Sequence, residues 1–352
     1  MAETRDSARG PMFADGRFLH ADGRARFIAT PPRAPAHAQS EEFPLVLNTG
    51  RVRDHWHTMT RTAKSAKLSA HVAEPFIEVN PADALRFAVR AGELARVRTA
   101  WGAMVVRVRV DSEVPAGHLF APIHWSGPHA SDARVGSLCN PALDPVSGQP
   151  ELKHTPAAVE PFAADWYGVI LSRTPLPTPD MAWWTRVQGE NFTRLEIVGR
   201  SNADWTRAAR RLLQVPEGAE TDWIEYRDPA RLLFRGAWFV GEKLEAVIYI
   251  DGRPTLPDRA WLAKLFASGK LNDALRASLL AGRALEGSDP GALVCSCFGV
   301  GANAIAACAR ELGQKATPME IGKRLKCGTN CGSCVPEIQE LIRRAGSRSA
   351  TA

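Results

Sequence analysis

Six of the seven cysteines in this 352-residue chain lie between positions 295 and 334. They begin with the pair Cys295-Ser-Cys297 and end with the run Cys327-Gly-Thr-Asn-Cys331-Gly-Ser-Cys334. Core cysteines normally scatter through a fold, so clustering of this kind indicates ligands rather than packing. Thiolates are soft ligands that suit zinc or iron–sulfur clusters, and two short-spaced pairs can supply four sulfurs to one centre.

Three kinds of site could use these cysteines. Disulfide bonds fit less well, because the N-terminal sequence has no apolar core of a secretory signal and closely spaced pairs suit a metal better. Structural zinc normally uses two C-x2-C knuckles, and the C-x-C pair is a poorer match. The pattern therefore favours an iron–sulfur cluster, with zinc and disulfides as the alternatives.

The order C-x-C followed by C-x2-C, with Thr329-Asn-Cys-Gly-Ser-Cys-Val-Pro-Glu337 at its end, resembles the bacterioferritin-associated-ferredoxin-like [2Fe–2S] domain. The resemblance implies four metal ligands: Cys295, Cys297, Cys331 and Cys334. Cys308 lies among alanines in a predicted helix and is interpreted as core. Cys327 lies near the site but outside the four-ligand pattern.

Composition is ordinary for a protein with two or three folded domains: 45% of the residues are hydrophobic and 23% are charged. The net charge of +6 suits a phosphate-bearing ligand or an acidic partner. No apolar run approaches the roughly 18 residues that span a bilayer. We therefore expect a cytoplasmic protein with no membrane and no nucleic-acid partner.

Residues 43–162 predict a β-barrel, because short apolar segments alternate with loops rich in Gly and Pro. Phe76–Val79 is one predicted strand. In Met104–Val110, which forms the second strand of a predicted hairpin, valines alternate with Arg107 and Arg109. This alternation predicts one apolar face and one basic face that is exposed to solvent.

Residues 163–290 show a different pattern, with many tryptophans and mixed strand and helix signals. A hairpin is predicted from residues 232–240 and 244–250, and an amphipathic helix from residues 203–213. Residues 258–281 predict two further helical pieces. We interpret this part as a small α+β domain without a catalytic signature, in which the tryptophans form the core or a docking face.

Several segments in the first half resemble the molybdopterin-dinucleotide-binding domain of molybdenum oxidoreductases. They are Leu47-Asn-Thr-Gly-Arg51, His55-Trp-His-Thr58, His124-Trp125 and the stretch from Asn140 to Lys153. In that family the domain is a double-psi barrel that caps the cofactor. The resemblance implies that cofactor-binding residues lie in the loop from Thr49 to Thr58 and at three later positions. The loop residues are Thr49, Gly50, Arg51, His55, Trp56, His57 and Thr58. The later ones are His124, Asn140 and Lys153.

The chemistry of these residues suits a dinucleotide. Backbone amides after a strand, together with Thr and Arg side chains, can hold a pyrophosphate. The amide of Asn140 can read the edge of a guanine or a pterin, and Lys153 supplies a point charge for phosphate. No catalytic residue is predicted.

The nearest family resemblance is to the C-terminal part of bacterial assimilatory nitrate reductases. It implies a multidomain chain: a connector (1–42), the barrel (43–162), the α+β domain (163–290) and a small helical [2Fe–2S] domain (291–345). It also implies molybdopterin guanine dinucleotide as the second cofactor. The cysteines of the family's [4Fe–4S] motif and its molybdenum domains are not in this sequence, so we expect a split subunit or a truncated reading frame.

The resemblance further implies two partners. One is a catalytic chain or set of domains that carries molybdenum and the [4Fe–4S] cluster. The other is an electron donor, which could be a ferredoxin, a flavodoxin or an NADH-dependent reductase. The alternative is a stand-alone ferredoxin-like carrier whose barrel binds a partner protein.

Overall fold

The computed structural model describes residues 12–29, 31–178, 180–200, 204–218, 221–285 and 289–349. The chain divides into one unit of residues 1–36 and a second unit of residues 37–352. In the first unit, the sequence Asp-Gly-Arg occurs twice, at residues 15–17 and 22–24, and each copy lies in a turn. The carboxylates of Asp15 and Asp22 accept hydrogen bonds of 3.1 Å from the backbone N–H groups two residues further on.

The second unit begins with a closed barrel of six strands. They are β1 (Leu45–Gly50), β2 (Phe76–Val79), β3 (Leu94–Arg98), β4 (Ala103–Val110), β5 (His118–Pro122) and β6 (Thr155–Pro161). Around the barrel the order is β1-β5-β2-β4-β3-β6, in which β1/β5 and β2/β4 are parallel and the other pairs antiparallel. Alternate apolar residues of the strands fill the interior, as the barrel prediction requires.

Short helices and turns connect the barrel strands. Helix α1 covers Ala66–Ser69 and helix α2 covers Pro81–Arg86. Helix α2 begins where the side chain of Asn80 accepts a hydrogen bond of 2.9 Å from the N–H of Ala82, with proline at the first helical position. Single 3-10 turns cover Thr62–Lys64, Val135–Ser137, Pro229–Arg231 and Gly313–Lys315.

An antiparallel sheet of six strands follows the barrel. Its strands are β7 (Trp166–Ser172), β8 (Trp183–Gln188), β9 (Thr193–Gly199), β10 (Asp222–Asp228), β11 (Leu233–Val240) and β12 (Lys243–Asp251), in the order β10-β11-β12-β7-β9-β8. The helices are α3 (Trp205–Leu212), α4 (Arg259–Ala267) and α5 (Asp273–Ala281). The predicted hairpin corresponds to β11 and β12, and Gly241 in its turn has φ +61°.

Helices cover both faces of this sheet. Ile170 and Ile248 pack in one core with α3, whereas their neighbours Val169 and Tyr249 pack in another with α4 and α5. Successive residues of a strand point to opposite faces, so the sheet is buried on both sides. The tryptophans of this region belong mainly to these cores.

The prediction that the basic face of the barrel hairpin is exposed to solvent is wrong for Arg107. Its side chain is only 12% exposed, and its Nε donates a hydrogen bond of 2.9 Å to Glu74. Its guanidinium carbon lies 5.4 Å from the centre of the Trp183 ring. Trp183 also donates a hydrogen bond of 2.8 Å to the carbonyl of Val105, so strand β8 covers this part of β4. Arg109, by contrast, is exposed.

A small helical domain ends the second unit. Strands β13 (Leu293–Cys295) and β14 (Val300–Gly301) form a short antiparallel pair, and the helices are α6 (Ala302–Leu312), α7 (Pro318–Leu325) and α8 (Val335–Ser349). Ile305, Ile321 and Ile338, one from each helix, meet in its core. Within the described ranges, no helix has both the length and the hydrophobicity that spanning a bilayer requires.

Candidate functional site

The four predicted ligand cysteines come together as two pairs. The Sγ atoms of Cys297 and Cys331 lie 3.5 Å apart, and the thiols of Cys295 and Cys334 are hydrogen bonded to each other. A [2Fe–2S] cluster takes four protein thiolates, so the two pairs together provide the number of ligands that it needs. In the part of the chain that the structure describes, no three His, Cys, Asp or Glu side chains converge as a site for a metal ion.

The two pairs differ in their exposure to solvent. Cys295 and Cys334, the inner pair, are each 2% exposed, whereas Cys331 of the outer pair is exposed and Cys297 is partly exposed. The side-chain amide of Asn330 donates a hydrogen bond of 3.3 Å to the sulfur of Cys297. The cysteines therefore present one side to solvent and the other to the protein interior.

The surroundings of Cys331 and Cys334 shift the pKa values of these two thiols in opposite directions. The hydroxyl of Ser333, 3.0 Å from the sulfur of Cys331, lowers the pKa of this thiol. Burial, followed by the hydrogen bond with Cys295, raises the pKa of Cys334 to about 11. The thiolate of Cys331 consequently forms more readily than that of Cys334, whose ionisation the positive charge of a bound metal would favour.

The other two cysteines of this domain are buried in its core. Cys308 lies on α6 and is 6% exposed, and Cys327 is fully buried. Gly328, directly after Cys327, has φ +80°, and a side chain there would meet Val335 at 3.3 Å. Gly328 thus allows the chain to turn toward Cys331 and Cys334 while Cys327 stays in the core of the domain.

The loop from Thr49 to Thr58, called the 49–58 loop below, leaves the end of β1 in an unusual conformation. Asp54 and His57 have φ values of +72° and +43°, and Met59 just beyond has +62°. Left-handed conformations are uncommon for residues other than glycine and cluster at ligand-binding loops. At Gly50 a side chain would lie 2.6 Å from the ring of Phe120, so that position accommodates only glycine without movement.

Four of the predicted cofactor residues in this loop are exposed: Arg51, Trp56, His57 and Thr58. The guanidinium carbon of Arg51 lies 4.9 Å from the centre of the Trp56 ring, and Trp56 is 49% exposed. Together these side chains offer a cation, a flat aromatic surface and hydrogen-bonding groups. That combination suits a ligand that contains both phosphates and rings.

Two predicted residues, His55 and His124, are buried and support the loop from within. Nε2 of His55 donates a hydrogen bond of 2.7 Å to the carbonyl of Val72. His124, with no exposed surface, lies between the N–H of Val52 at 3.0 Å and the carbonyl of His57 at 2.7 Å. Burial lowers the pKa of both imidazoles.

Thr49, Asn140 and Lys153 connect the end of β1 to the segment before β6. The hydroxyl of Thr49 donates a hydrogen bond of 2.7 Å to the carbonyl of Leu152, and the ammonium of Lys153 donates to the carbonyl of Thr49. The buried amide of Asn140 donates to the carbonyl of His154 at 2.7 Å. Asn140 thus orders the segment that carries Lys153, whose own side chain is exposed.

Sequence reasoning missed a group of polar side chains that join the 49–58 loop to the cluster domain. They are Arg53 and Asp54 of the loop, His71 after α1, and Ser296 and Glu337 of the cluster domain. The partners are up to 284 positions apart in the chain, as in the pair of Arg53 and Glu337. No local pattern marks such a contact, although Asp54 lies inside a loop that the sequence did single out.

Comparison with known families places both sites in context. Residues 45–156 match the family described as molydopterin dinucleotide binding domain, and residues 293–344 match the family described as BFD-like [2Fe-2S] binding domain. The first match covers strands β1 to β5, the start of β6 and the 49–58 loop, and the second covers both cysteine pairs. These matches confirm the two predicted cofactors, a molybdopterin dinucleotide and a [2Fe–2S] cluster.

Similar proteins include nitrate reductases and a formate dehydrogenase. A nitrate reductase of Klebsiella oxytoca is 38% identical over 92% of this chain, and the assimilatory nitrate reductase catalytic subunit of Bacillus subtilis is 31% identical over 43%. The F420-dependent formate dehydrogenase subunit alpha of Methanocaldococcus jannaschii is 32% identical over 41%. The chain spans 36% of the Klebsiella protein and 21% of each of the other two.

The barrel with its loop and the two cysteine pairs therefore define part of a molybdopterin-dependent oxidoreductase that also carries a [2Fe–2S] cluster. Within that class, a nitrate reductase matches this chain along nearly its whole length. The chain corresponds to the C-terminal portion of a bacterial nitrate reductase.

Proposed function

We propose that the protein caps the cofactor and delivers electrons in a molybdenum-dependent assimilatory nitrate reductase, which reduces nitrate to nitrite. The observation that carries the proposal is the direct contact between the 49–58 loop and the segment around Cys295. The N–H···O and O–H···O bonds of this contact measure 2.7 and 2.8 Å. A chain that joins its cofactor-binding loop to its cluster ligands in this way is suited to pass electrons between the two sites.

In this proposal the exposed residues of the barrel contact the molybdopterin guanine dinucleotide. Arg51 and Lys153 bind its phosphates, Trp56 offers its ring face, and His57 and Thr58 donate hydrogen bonds. The buried residues Thr49, His55, His124 and Asn140 hold these groups in place and do not contact the ligand themselves. When bound, the capped cofactor would supply the molybdenum chemistry by which nitrate, two electrons and two protons are converted to nitrite and water.

The cluster domain would accept electrons on its exposed side. A donor protein, for which a ferredoxin, a flavodoxin and an NADH-dependent reductase are candidates, can approach Cys297 and Cys331 because they reach solvent. Cys295 and Cys334 are buried, and the segment that carries Cys295 contacts the 49–58 loop of the barrel. A [2Fe–2S] cluster carries one electron at a time, so each nitrate requires two transfers. The remaining contacts to the dinucleotide would come from catalytic domains like those that make up the rest of the longer relatives.

A chimera tests this function. The C-terminal portion of the Klebsiella oxytoca nitrate reductase would be replaced by this chain, and nitrite formation would be measured with reduced ferredoxin and, separately, with a reduced viologen. We expect nitrite with both donors. With Cys331→Ser, activity driven by ferredoxin should be lost, whereas viologen, a small molecule, can still reduce the remaining centres directly.

Two results would contradict the proposal. One is a chimera that holds molybdenum and the [2Fe–2S] cluster but forms no nitrite with either donor. The other is a Cys331→Ser chimera that keeps full activity with ferredoxin, since electrons would then bypass the cluster. Cys308→Ser is the matched control, because Cys308 lies in the core of the same domain and should leave both activities unchanged.

A further inference from the structure

Two consecutive residues of the 49–58 loop bind the two neighbours of the ligand Cys295. The Nη2 group of Arg53 donates a hydrogen bond of 2.7 Å to the carbonyl oxygen of Val294. The hydroxyl of Ser296 donates one of 2.8 Å to the carboxylate of Asp54. Cys295 is thus fixed from both sides by the barrel, through contacts that connect residues 241 and 242 positions apart.

Further charged groups surround this contact. A carboxylate oxygen of Glu337, at the start of α8, lies 3.4 Å from Arg53 and 3.5 Å from Nε2 of His71. Nδ1 of His71 lies 3.4 Å from Asp54, and Nε of Arg53 lies 3.5 Å from the same carboxylate. The side chains of Arg53, Asp54 and His71 are 17%, 10% and 13% exposed, so water screens their charges only in part.

The backbone conformation of Asp54 also indicates that Arg53 and Asp54 form a functional contact. Asp54 has φ +72°, a conformation that few residue types tolerate and that turns its carboxylate toward Ser296. Aspartate and asparagine adopt it more readily than most side chains. The loop therefore holds a strained residue at the point where it meets the cluster domain, and strain of this kind concentrates at functional contacts.

We propose that Arg53 and Asp54 form a charged clamp that seats the cluster domain on the barrel and sets the reduction potential of the cluster beside Cys295. Both are positioning residues, because they act on the ligand segment and touch neither iron nor substrate. The inference rests on the [2Fe–2S] cluster of the proposed function, but it does not depend on nitrate as the substrate.

Because Arg53 and Asp54 carry opposite charges, replacing each of them should shift the midpoint potential of the cluster in opposite directions. Reduction adds negative charge to the cluster, so a nearby cation favours the reduced state and a nearby anion disfavours it. Removing Arg53 should lower the midpoint potential, and neutralising Asp54 should raise it. Mere loosening of the domain contact would expose the cluster to water in both variants and would shift both potentials in the same direction.

The experiment measures the midpoint potential of the cluster in the full chain by an anaerobic titration followed by electron paramagnetic resonance. The variants are Arg53→Ala, Arg53→Lys and Asp54→Asn, of which asparagine keeps the acceptor for Ser296 and tolerates the positive φ. We expect shifts of opposite sign for Arg53→Ala and Asp54→Asn, each about threefold to tenfold in the reduction equilibrium, where tenfold is 59 mV for one electron. Arg53→Lys should stay close to the wild type.

Arg90→Ala is the matched control, because Arg90 is a barrel arginine that is 80% exposed and pairs with Glu93 at 3.8 Å. Its potential should equal that of the wild type. Shifts of the same sign in Arg53→Ala and Asp54→Asn, or no shift in either, would overturn the clamp.

Hydrogen exchange provides a second measurement that does not need the cluster. In Arg53→Ala, with or without iron, the amides of residues 293–298 should exchange at least tenfold faster than in the wild type, whereas in Arg90→Ala they should not. Unchanged exchange would refute the seating role. A chain that fails to assemble a [2Fe–2S] cluster contradicts the proposed function, and this exchange measurement still decides whether the clamp exists.

Discussion

The backbone N–H of Val52 donates a hydrogen bond of 3.0 Å to Nε2 of His124, and this bond fixes the protonation state of the imidazole. A ring nitrogen that accepts a hydrogen bond carries no proton, so the proton lies on Nδ1 and is donated to the carbonyl of His57 at 2.7 Å. Burial lowers the pKa of His124, as it does for His55 and His129. The 49–58 loop thus depends on neutral histidines.

The first prediction concerns stability and pH. Because the pKa of each of these three histidines is lower in the folded state than the ordinary value of about 6.5, the unfolded state binds protons that the folded state does not. The free energy of unfolding should therefore decrease as the pH falls from about 7.5 to 5.5. Urea denaturation followed by tryptophan fluorescence at several pH values measures this dependence.

His124→Ala tests the assignment to this residue. It leaves the N–H of Val52 and the carbonyl of His57 without their partner, which costs about 1–3 kcal/mol for each buried group. It should also weaken the pH dependence, since one of the three titrating groups is gone. A free energy of unfolding that stays constant or rises toward pH 5.5 in the wild type would contradict the prediction.

The second prediction concerns the cluster ligands. Purified without oxygen, the chain should contain about two iron and two sulfide ions and should be reddish-brown. Cys331→Ser and Cys334→Ser should abolish the visible spectrum, because each removes one of the four thiolates. Cys308→Ser and Cys327→Ser should retain it, since both side chains lie in the core of the domain. Stoichiometric zinc without sulfide, or loss of colour in Cys327→Ser, would show that the ligands are assigned wrongly.

Sequence reasoning succeeded where the signal is local. The spacing of Cys295-Ser-Cys297 and Cys331-Gly-Ser-Cys334 brings the two members of each sequence pair close together, and the family match to residues 293–344 covers both pairs. That all four cysteines bind one cluster stays a prediction. The alternation in β4 predicts a strand in the same way, since its period of two is a property of the backbone.

It failed where a distant segment decides the surroundings of a side chain. Arg107 has the sequence pattern of an exposed residue, yet strand β8 covers it and Glu74 pairs with it. The amide of Asn140 suits a base edge by its chemistry, but the carbonyl of His154 and its neighbours already occupy its donors. The contact of Arg53 with Val294 crosses 241 positions and leaves no periodic trace in the sequence.

The third prediction concerns a buried ion pair in the middle domain. The carboxylate of Glu196 is 3% exposed and accepts two hydrogen bonds, of 2.7 and 2.9 Å, from the guanidinium of Arg259. Arg194 lies 3.5 Å from the same carboxylate. Glu196→Gln removes the negative charge and leaves two arginines without their counter-charge, which should lower the free energy of unfolding by about 3–5 kcal/mol.

Thermal or urea denaturation of Glu196→Gln checks this value against Glu242→Gln as the matched control. Glu242 is 62% exposed and pairs with Lys270 on the surface. Surface pairs contribute little because water screens them, so the control should be as stable as the wild type. If Glu196→Gln were as stable as the control, the buried ion pair would contribute no more to the free energy of unfolding than the neutral glutamine does.

The last prediction concerns the dinucleotide. Lys153 is exposed, and its ammonium donates to the carbonyl of Thr49 at the start of the 49–58 loop. If it also binds a phosphate of the cofactor, Lys153→Ala should weaken cofactor binding by about 1.5–3 kcal/mol, the usual range for a hydrogen bond to a charged group. In the chimera with the Klebsiella oxytoca enzyme, this variant should lose molybdenum during gel filtration and keep its [2Fe–2S] spectrum. Lys270→Ala, which removes an equally charged but distant surface residue 80% exposed, should retain both. Full molybdenum content in Lys153→Ala would show that other residues hold the phosphates.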